Sequence, residues 1–254
     1  MKCVMTHLYY GDPTKEFSQQ LAKTLDGSGA DILEIGIPYT DPVCDGEVFQ
    51  RACKRALESG TNPFDVINGI KKLRAEGVQI PIYLTSYYGP IFKIGIEKFV
   101  GLINEAQVNG LIIPDLLLSE QDELRTVCDR FKISLIQFAT VYSSTERLRQ
   151  IVSASTDFIY CISIPGVTGD IFDQRRNLLS QLTVLKELTT QKILVGFGIQ
   201  TARDARKIIR MGGDGVIIGS AIAKMYEENI EFPKKSLAKI SSFVKEIKGS
   251  TIYK

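Results

Sequence analysis

The sequence predicts an α/β fold in which eight parallel strands close into a (β/α)8 barrel, or TIM barrel. Short runs rich in Val, Ile, Leu and Tyr alternate with longer amphipathic segments along the whole chain. The strand-like runs are continuously apolar, which is typical of parallel strands buried on both faces. Eight such units fill 254 residues, which is about the length of one barrel. We therefore predict a single domain over residues 1–254, with an open doubly wound sheet as the alternative.

The predicted elements alternate without a break. The strands span Cys3–Tyr9, Asp31–Ile35, Pro81–Thr85, Gly110–Pro114, Ser134–Phe138, Phe158–Ile162, Ile193–Val195 and Gly215–Ile218. The segments between them carry apolar residues at spacings of three and four, the period of a helix with one buried face. These predicted helices span Lys15–Leu25, Pro63–Ala75, Ile96–Ala106, Glu120–Phe131, Thr145–Ser153, Leu178–Leu188, Ala202–Met211 and Pro233–Ile247. No linker rich in Pro or Ser interrupts them, so the sequence indicates no domain boundary.

Charge and composition exclude several functional classes. The chain has 31 Lys and Arg residues against 29 Asp and Glu residues, a formal net charge of +2, and its basic residues are scattered. A nucleic-acid-binding surface requires clustered positive charge, so we predict no nucleic-acid partner. No stretch approaches the ~18–20 apolar residues of a membrane span, and no signal segment opens the chain. We therefore expect a cytoplasmic protein that does not bind membranes.

The cysteines and the single histidine suggest neither a metal site nor a catalytic triad. The five cysteines are odd in number and lack a C-x-x-C spacing, which argues against a disulfide framework and a zinc cluster. We interpret them as reduced, mostly structural thiols. His7 is the only histidine, and no motif around it indicates a nucleophile. We predict no metal.

Three glycine-rich turns follow the last three predicted strands, where barrels of this kind often bind phosphate. Glycines let backbone N–H groups approach a phosphate oxygen, a hydroxyl adds a donor, and a helix N-terminus presents the positive end of its dipole. Alternatively, the glycines serve only the tight turns that any barrel needs. Because three such turns occur together, we predict a phosphate site. The turns are Gly166-Val167-Thr168-Gly169, Gly196-Phe197-Gly198-Ile199 and Gly219-Ser220-Ala221-Ile222.

Two acidic residues near the second predicted strand are candidates for acid and base chemistry. Glu34 interrupts an apolar strand, and a carboxylate pointing into a barrel is desolvated, which raises its pKa. A raised pKa suits a general acid or base near pH 7. Asp45 precedes Gly46 on the following loop and is expected to return over the barrel mouth. The alternatives are a Glu that hydrogen-bonds a loop at the exposed end of its strand, and an ordinary turn Asp.

The residues around these carboxylates form a long motif. Residues 33–50 read L-E-I-G-I-P-Y-T-D-P-V-C-D-G-E-V-F-Q. This stretch resembles the signature of the tryptophan synthase α subunit family, L-E-x-G-x-P-[FY]-[ST]-D-P-x-x-D-G. The resemblance covers nearly the whole chain, in order. Its other segments are Gly11-Asp12-Pro13, Tyr87, Pro114-Asp115-Leu116 and the three glycine-rich turns.

The resemblance implies a lyase of tryptophan biosynthesis. Indole-3-glycerol phosphate would be split by a retro-aldol reaction into indole and glyceraldehyde 3-phosphate. Glu34 would be the acid/base catalyst, and Asp45 the partner carboxylate that hydrogen-bonds the indole N–H. No metal or organic cofactor is implied for this chain.

The resemblance also implies binding residues and a partner. The partner would be a tryptophan synthase β subunit that carries pyridoxal phosphate, in an α-β-β-α heterotetramer. Pro38 and Asp41 match the loop that docks on this partner and signals to it. Positions that match the substrate pocket, its loop and the phosphate site are Tyr87, Tyr160, Thr168, Gly169, Gly198, Gly219 and Ser220.

Several positions depart from the family pattern and leave the level of activity open. The departures are His7 in place of an apolar pocket residue, Glu47 for Pro, Gly89 for Asn, Leu117 for Pro, and Ile164-Pro165 for a polar pair. They predict an altered pocket and closing loop and a low rate of indole release. The alternatives are therefore a catalytically weak or inactive subunit that activates the β subunit, and a different phosphate-binding barrel enzyme.

Overall fold

The computed structural model describes residues 2–162, 171–196 and 198–252, and it contains the predicted barrel. Eight strands pair in parallel in chain order, and the last strand pairs with the first, so the sheet is closed. This confirms the (β/α)8 barrel and shows that the open doubly wound sheet was wrong. The strands are β1 (Cys3–Tyr9), β2 (Ile32–Gly36), β3 (Ile82–Thr85), β4 (Gly110–Ile112), β5 (Ser134–Thr140), β6 (Phe158–Ile162), β7 (Lys192–Gly196) and β8 (Gly215–Ile218).

The helices cover the outside of the barrel, and their bounds lie close to the predicted ones. They are α1 (Lys15–Gly27), α2 (Glu47–Glu58), α3 (Pro63–Ala75), α4 (Tyr88–Ile94), α5 (Ile96–Glu105), α6 (Asp122–Phe131), α7 (Thr145–Ala154), α8 (Ile171–Leu188), α9 (Ala202–Arg210), α10 (Ser220–Glu227) and α11 (Leu237–Thr251), with short 3-10 helices at Leu118–Glu120 and Pro233–Ser236. Three helices, α2, α4 and α10, lie outside the eight predicted spans, and α8 begins at Ile171 rather than at Leu178. All three lie in segments that join a strand to the next predicted helix.

Alternation along the strands divides the apolar residues into two layers. The outer layer packs between the strands and the helices. The inner layer fills the barrel with residues such as Met5 on β1, Ile112 on β4 and Ile217 on β8. On β1, residues two and four positions after Met5 point the same way. His7 and Tyr9 therefore continue the inner layer toward the carboxyl end of the strands, where barrel enzymes place their chemistry.

Candidate active site

Glu34 lies on β2 and its side chain is buried at the mouth of the barrel, with 2% of the residue exposed. Thr85 on β3 donates from Oγ1 to Glu34 Oε1 over 2.6 Å. The other oxygen, Oε2, is buried and has no hydrogen-bond partner in the described protein. Burial raises the pKa of Glu34 from an ordinary 4.5 to about 8; the Thr85 hydrogen bond opposes this rise and the Asp45 charge adds to it. The Glu34 carboxyl group is therefore protonated near neutral pH. Its Oε1 accepts from Thr85, and its Oε2 has no hydrogen-bond partner among the described residues.

His7 on β1 lies directly beside Glu34, because the two residues are register partners in neighbouring strands. The imidazole Nδ1 is 3.4 Å from Glu34 Oε1. Burial lowers the pKa of His7 from an ordinary 6.5 to about 3, so the ring is neutral. Its other nitrogen, Nε2, is buried and has no hydrogen-bond partner among the described residues, and the ring packs against Phe49 of α2 at 4.5 Å between centroids.

Asp45 returns over the barrel mouth as predicted and is held there by two phenols. Tyr9 donates to Asp45 Oδ2 over 2.7 Å, and Tyr87 donates to the same oxygen over 3.0 Å. Tyr87 in turn accepts a hydrogen bond from the backbone N–H of Cys44 over 2.9 Å. Burial raises the pKa of Asp45 above its ordinary value, and the hydrogen bonds from Tyr9 and Tyr87 offset only part of this rise. The phenols fix one oxygen of the carboxylate and stabilise its charge.

A pocket of about 340 Å³ is lined by His7, which lies beside Glu34, and by Gly46, which follows Asp45, whereas the two carboxylates are not themselves among its lining residues. Gly198, Gly219 and Ser220 lie on one side of it, at the carboxyl ends of β7 and β8, and Ser220 is the first residue of α10. Gly198 has a φ of +75°, a conformation that favours glycine. At Gly219 a Cβ would lie 2.5 Å from Cζ of Phe49, so no side chain fits there without movement. Backbone donors and a helix N-terminus thus line the pocket.

Most of the predicted site residues lie together. Tyr160 lines the pocket with Gly198, Gly219 and Ser220, whereas Tyr87 lies at Asp45. Pro38 is buried and Asp41 is exposed on the same loop, away from this pocket. Thr168, Gly169 and the Ile164-Pro165 pair lie outside the described residues.

Sequence reasoning missed several residues of the site. Tyr9 and Thr85 hold the two carboxylates, but only the pairing of β1, β2 and β3 brings them there. Lys224 lines the pocket from α10. A signal for it existed, since residues four apart on a helix share a face and Lys224 is four residues after Ser220.

Two other findings concern the rest of the described chain. Across residues 2–162, 171–196 and 198–252, no helix combines the length and the apolar character needed to cross a bilayer. The five cysteines are free thiols; four are buried and Cys44 is exposed.

The sequence is similar to proteins named tryptophan synthase alpha chain. The pattern of the family described as Tryptophan synthase alpha chain matches residues 1–252. The alpha chain of Arabidopsis thaliana is 36% identical over 249 residues, which cover 98% of this chain and 90% of that protein. The alpha chain of Alkaliphilus metalliredigens is 37% identical over 246 residues, which cover 97% and 91%.

A solved structure agrees with these relatives. The crystal structure of tryptophan synthase subunit alpha from Legionella pneumophila superposes with a TM-score of 0.90 at 29% identity, covering 98% of this chain and 92% of that one. The similarity therefore extends over nearly the full length of both chains, in sequence and in fold. The resemblance and the lyase class predicted from the sequence are confirmed at the level of the family: this chain belongs to the tryptophan synthase alpha chain family.

Proposed function

We propose that this chain cleaves indole-3-glycerol phosphate into indole and glyceraldehyde 3-phosphate. The observation that carries the proposal is the pair of Glu34 and Asp45, held at the barrel mouth beside the glycine-lined pocket. The test is to incubate the purified chain, with and without a tryptophan synthase β subunit, with the substrate and to quantify both products. Equal amounts of indole and glyceraldehyde 3-phosphate support the proposal, and intact substrate under both conditions refutes it.

Glu34 supplies and then recovers the proton of this reaction. Its unoccupied Oε2 carries the acid proton, because Oε1 already accepts from Thr85. Transfer of this proton to C3 of the indole forms an indoleninium cation. The resulting carboxylate takes the proton of the adjacent glycerol hydroxyl, the carbon–carbon bond breaks, and its electron pair neutralises the ring. The pKa of about 8 suits a group that must donate and accept in one cycle.

Asp45 stabilises the cation that forms between these two steps. The positive charge develops on the indole nitrogen, and an ionised carboxylate that accepts the N–H bond lowers its energy. Tyr9 and Tyr87 hold Asp45 Oδ2 and leave Oδ1 for the substrate. Because the phenols are fixed before the substrate binds, the carboxylate requires little reorganisation during the reaction.

The glycine-lined pocket is suited to the phosphate of the substrate. We assign this group to the backbone N–H groups near Gly198 and Gly219, the Ser220 hydroxyl and the N-terminus of α10. Lys224 adds a positive charge to the same lining. Thr168 and Gly169 belong to the proposed site through the family pattern alone. We further propose that this chain is a single domain, that it requires no cofactor of its own and that it acts in the cytoplasm.

We propose a tryptophan synthase β subunit as the partner, in an α-β-β-α heterotetramer in which the β subunit holds pyridoxal phosphate. Three large apolar side chains are exposed on the segments that follow β2, β3 and β4: Val43 at 69%, Phe92 on α4 at 71% and Leu117 at 60%. We call these three residues the docking surface. Tyr88 connects two of its loops, because its backbone N–H donates to Asp115 over 2.9 Å, and its ring lies 6.0 Å from Phe92. Exposed apolar clusters of this kind mark interaction sites.

Pro38 and Asp41 belong to the same proposed interface. The loop that carries them leads directly to Val43 of the docking surface and to Asp45. Tyr39, between them, stacks on Tyr87 at 5.1 Å between ring centroids, and Tyr87 donates to Asp45. A movement of this loop when the β subunit docks would therefore be transmitted to Asp45 through the Tyr39–Tyr87 contact. This supports a signalling role for the loop.

We expect Leu117→Glu to weaken β-subunit binding at least about tenfold, because a buried charge without a partner replaces an apolar contact. Titration calorimetry with the purified β subunit measures the change. Phe232→Glu is the matched control, since Phe232 is also 60% exposed but lies beyond α10, far along the chain from the docking surface. Equal affinity of the Leu117→Glu variant and the wild type would refute the assignment of this surface.

A further inference from the structure

His7 is the one ionisable side chain whose position next to Glu34 the family pattern does not explain. The pattern has an apolar residue there, yet here a buried imidazole faces the carboxyl group with Nδ1 3.4 Å from Oε1. The placement is built into the barrel, because His7 and Glu34 are register partners on β1 and β2. Phe49 and Tyr9 pack on the ring, with centroids 4.5 Å and 5.1 Å away. The ring is therefore held in one orientation.

The protonation states of this pair determine which atom donates. A neutral imidazole carries one proton, on Nδ1 or on Nε2. Nε2 is buried and has no partner in the part of the chain that the structure describes, whereas Nδ1 lies 3.4 Å from Oε1. Oε1 already accepts a hydrogen bond from Thr85. A second donor, Nδ1–H of His7, would give this one oxygen of the Glu34 carboxyl group two hydrogen bonds. A carboxylic acid whose one oxygen accepts two hydrogen bonds carries its proton on the other.

We propose that His7 is a positioning residue, a neutral Nδ1–H tautomer that acts with Thr85 to hold Oε1 of Glu34 and thereby places the acid proton on Oε2. The inference deepens the proposed function, on which its kinetic part rests. Within residues 2–162, 171–196 and 198–252, Oε2 has no hydrogen-bond partner, and it is the atom from which the substrate takes its proton. His7 itself transfers no proton.

Other titratable groups near the pair do not supply this hydrogen bond. Asp45 and Tyr160 face Glu34 from the following loop and from β6. Tyr9, an ionisable neighbour on β1, donates its hydroxyl hydrogen to Asp45. Glu47 and Lys224 line the same pocket as His7, and no hydrogen bond joins either of them to Glu34 among the described residues. Among the described residues, Thr85 Oγ1 donates to Oε1 over 2.6 Å, and His7 Nδ1 lies 3.4 Å from the same oxygen.

Nitrogen NMR tests the tautomer directly, because His7 is the only histidine of the chain. Protein labelled in histidine and freed of any histidine tag gives one imidazole, whose two nitrogens report where the proton is. We expect a proton on Nδ1 and a bare Nε2 at neutral pH, and a loss of this preference in Glu34→Ala. A proton on Nε2, or a doubly protonated imidazole, overturns the proposal. This result does not depend on turnover.

Two substitutions of His7 separate positioning from packing. His7→Phe keeps a ring on Phe49 but removes the donor, and we expect kcat to fall about tenfold to 10²-fold with KM little changed, because the proton is no longer held in place. This expectation is opposite to the one from the sequence alone, which counts His7 among the departures that lower the rate. In His7→Asn the amide nitrogen takes the place of Nδ1, so most of the rate should return. Equal rates for His7→Phe and the wild type overturn the proposal. If the wild type releases no indole, the proposed function fails, whereas the NMR result still decides the tautomer.

Discussion

Replacing Glu34 by Gln is expected to lower kcat by about 10²–10⁴, because the amide keeps the shape of the side chain but has no proton to exchange. Stability should change little, since Glu34 is protonated near neutral pH, and a neutral amide then replaces a neutral acid. The Gln oxygen can still accept from Thr85. Single-turnover release of indole, followed with thermal unfolding of the same samples, measures both effects.

The matched control makes the same chemical change on the surface. Glu105→Gln removes a carboxylate from α5 that is 65% exposed and pairs with Lys71, and it should leave both the rate and the unfolding temperature close to wild type. Full activity in the Glu34→Gln variant would show that Glu34 does not transfer the proton.

Asp45→Asn is expected to lower kcat by about 10²–10³, the usual cost of removing one group that stabilises developing charge. The amide oxygen still accepts from Tyr9 and Tyr87, so the loop should keep its place. Only the negative charge opposite the indole nitrogen is lost. The variant should therefore bind substrate with nearly wild-type KM, and steady-state kinetics separates the two constants.

Asp129→Asn, on the exposed face of α6, is the corresponding control and should retain wild-type kinetics. A raised KM with unchanged kcat in Asp45→Asn would instead assign Asp45 to substrate binding, contrary to the proposed role.

The fold was largely predictable because the barrel repeats one simple pattern. β1, β6 and β8 begin and end where the apolar runs do. The unpredicted α2 illustrates what a repeat cannot reveal. It follows the Asp45 loop directly and begins at Glu47, inside a segment that the strand–helix alternation assigns to a connection. Its apolar residue Phe49 belongs to the aromatic contacts around His7 rather than to the repeat.

In the candidate site, the sequence indicated the residues proposed to carry out the reaction but not the neighbours that hold them in place. Glu34 is visible because it interrupts an apolar strand, and its burial and raised pKa agree with that interpretation. Its neighbours Thr85 and His7 are distant from it in the sequence, and strand register brings both of them to Oε1. Gly89, one of the departures from the family pattern, lies in a tightly packed position that the sequence alone does not show. A Cβ there would lie 3.0 Å from Oη of Tyr39, so packing against Tyr39 favours the glycine.

The dependence of kcat on pH tests the central claim that Glu34 acts as the proton donor. The active form has Glu34 protonated, with a pKa of about 8, and Asp45 ionised, so the profile of the pair should be bell-shaped. The account predicts that kcat falls about tenfold per pH unit above this pKa, and that Glu34→Gln abolishes this basic limb. A kcat that rises through the same range, as a carboxylate base would require, or that stays constant to about pH 10, would contradict the account.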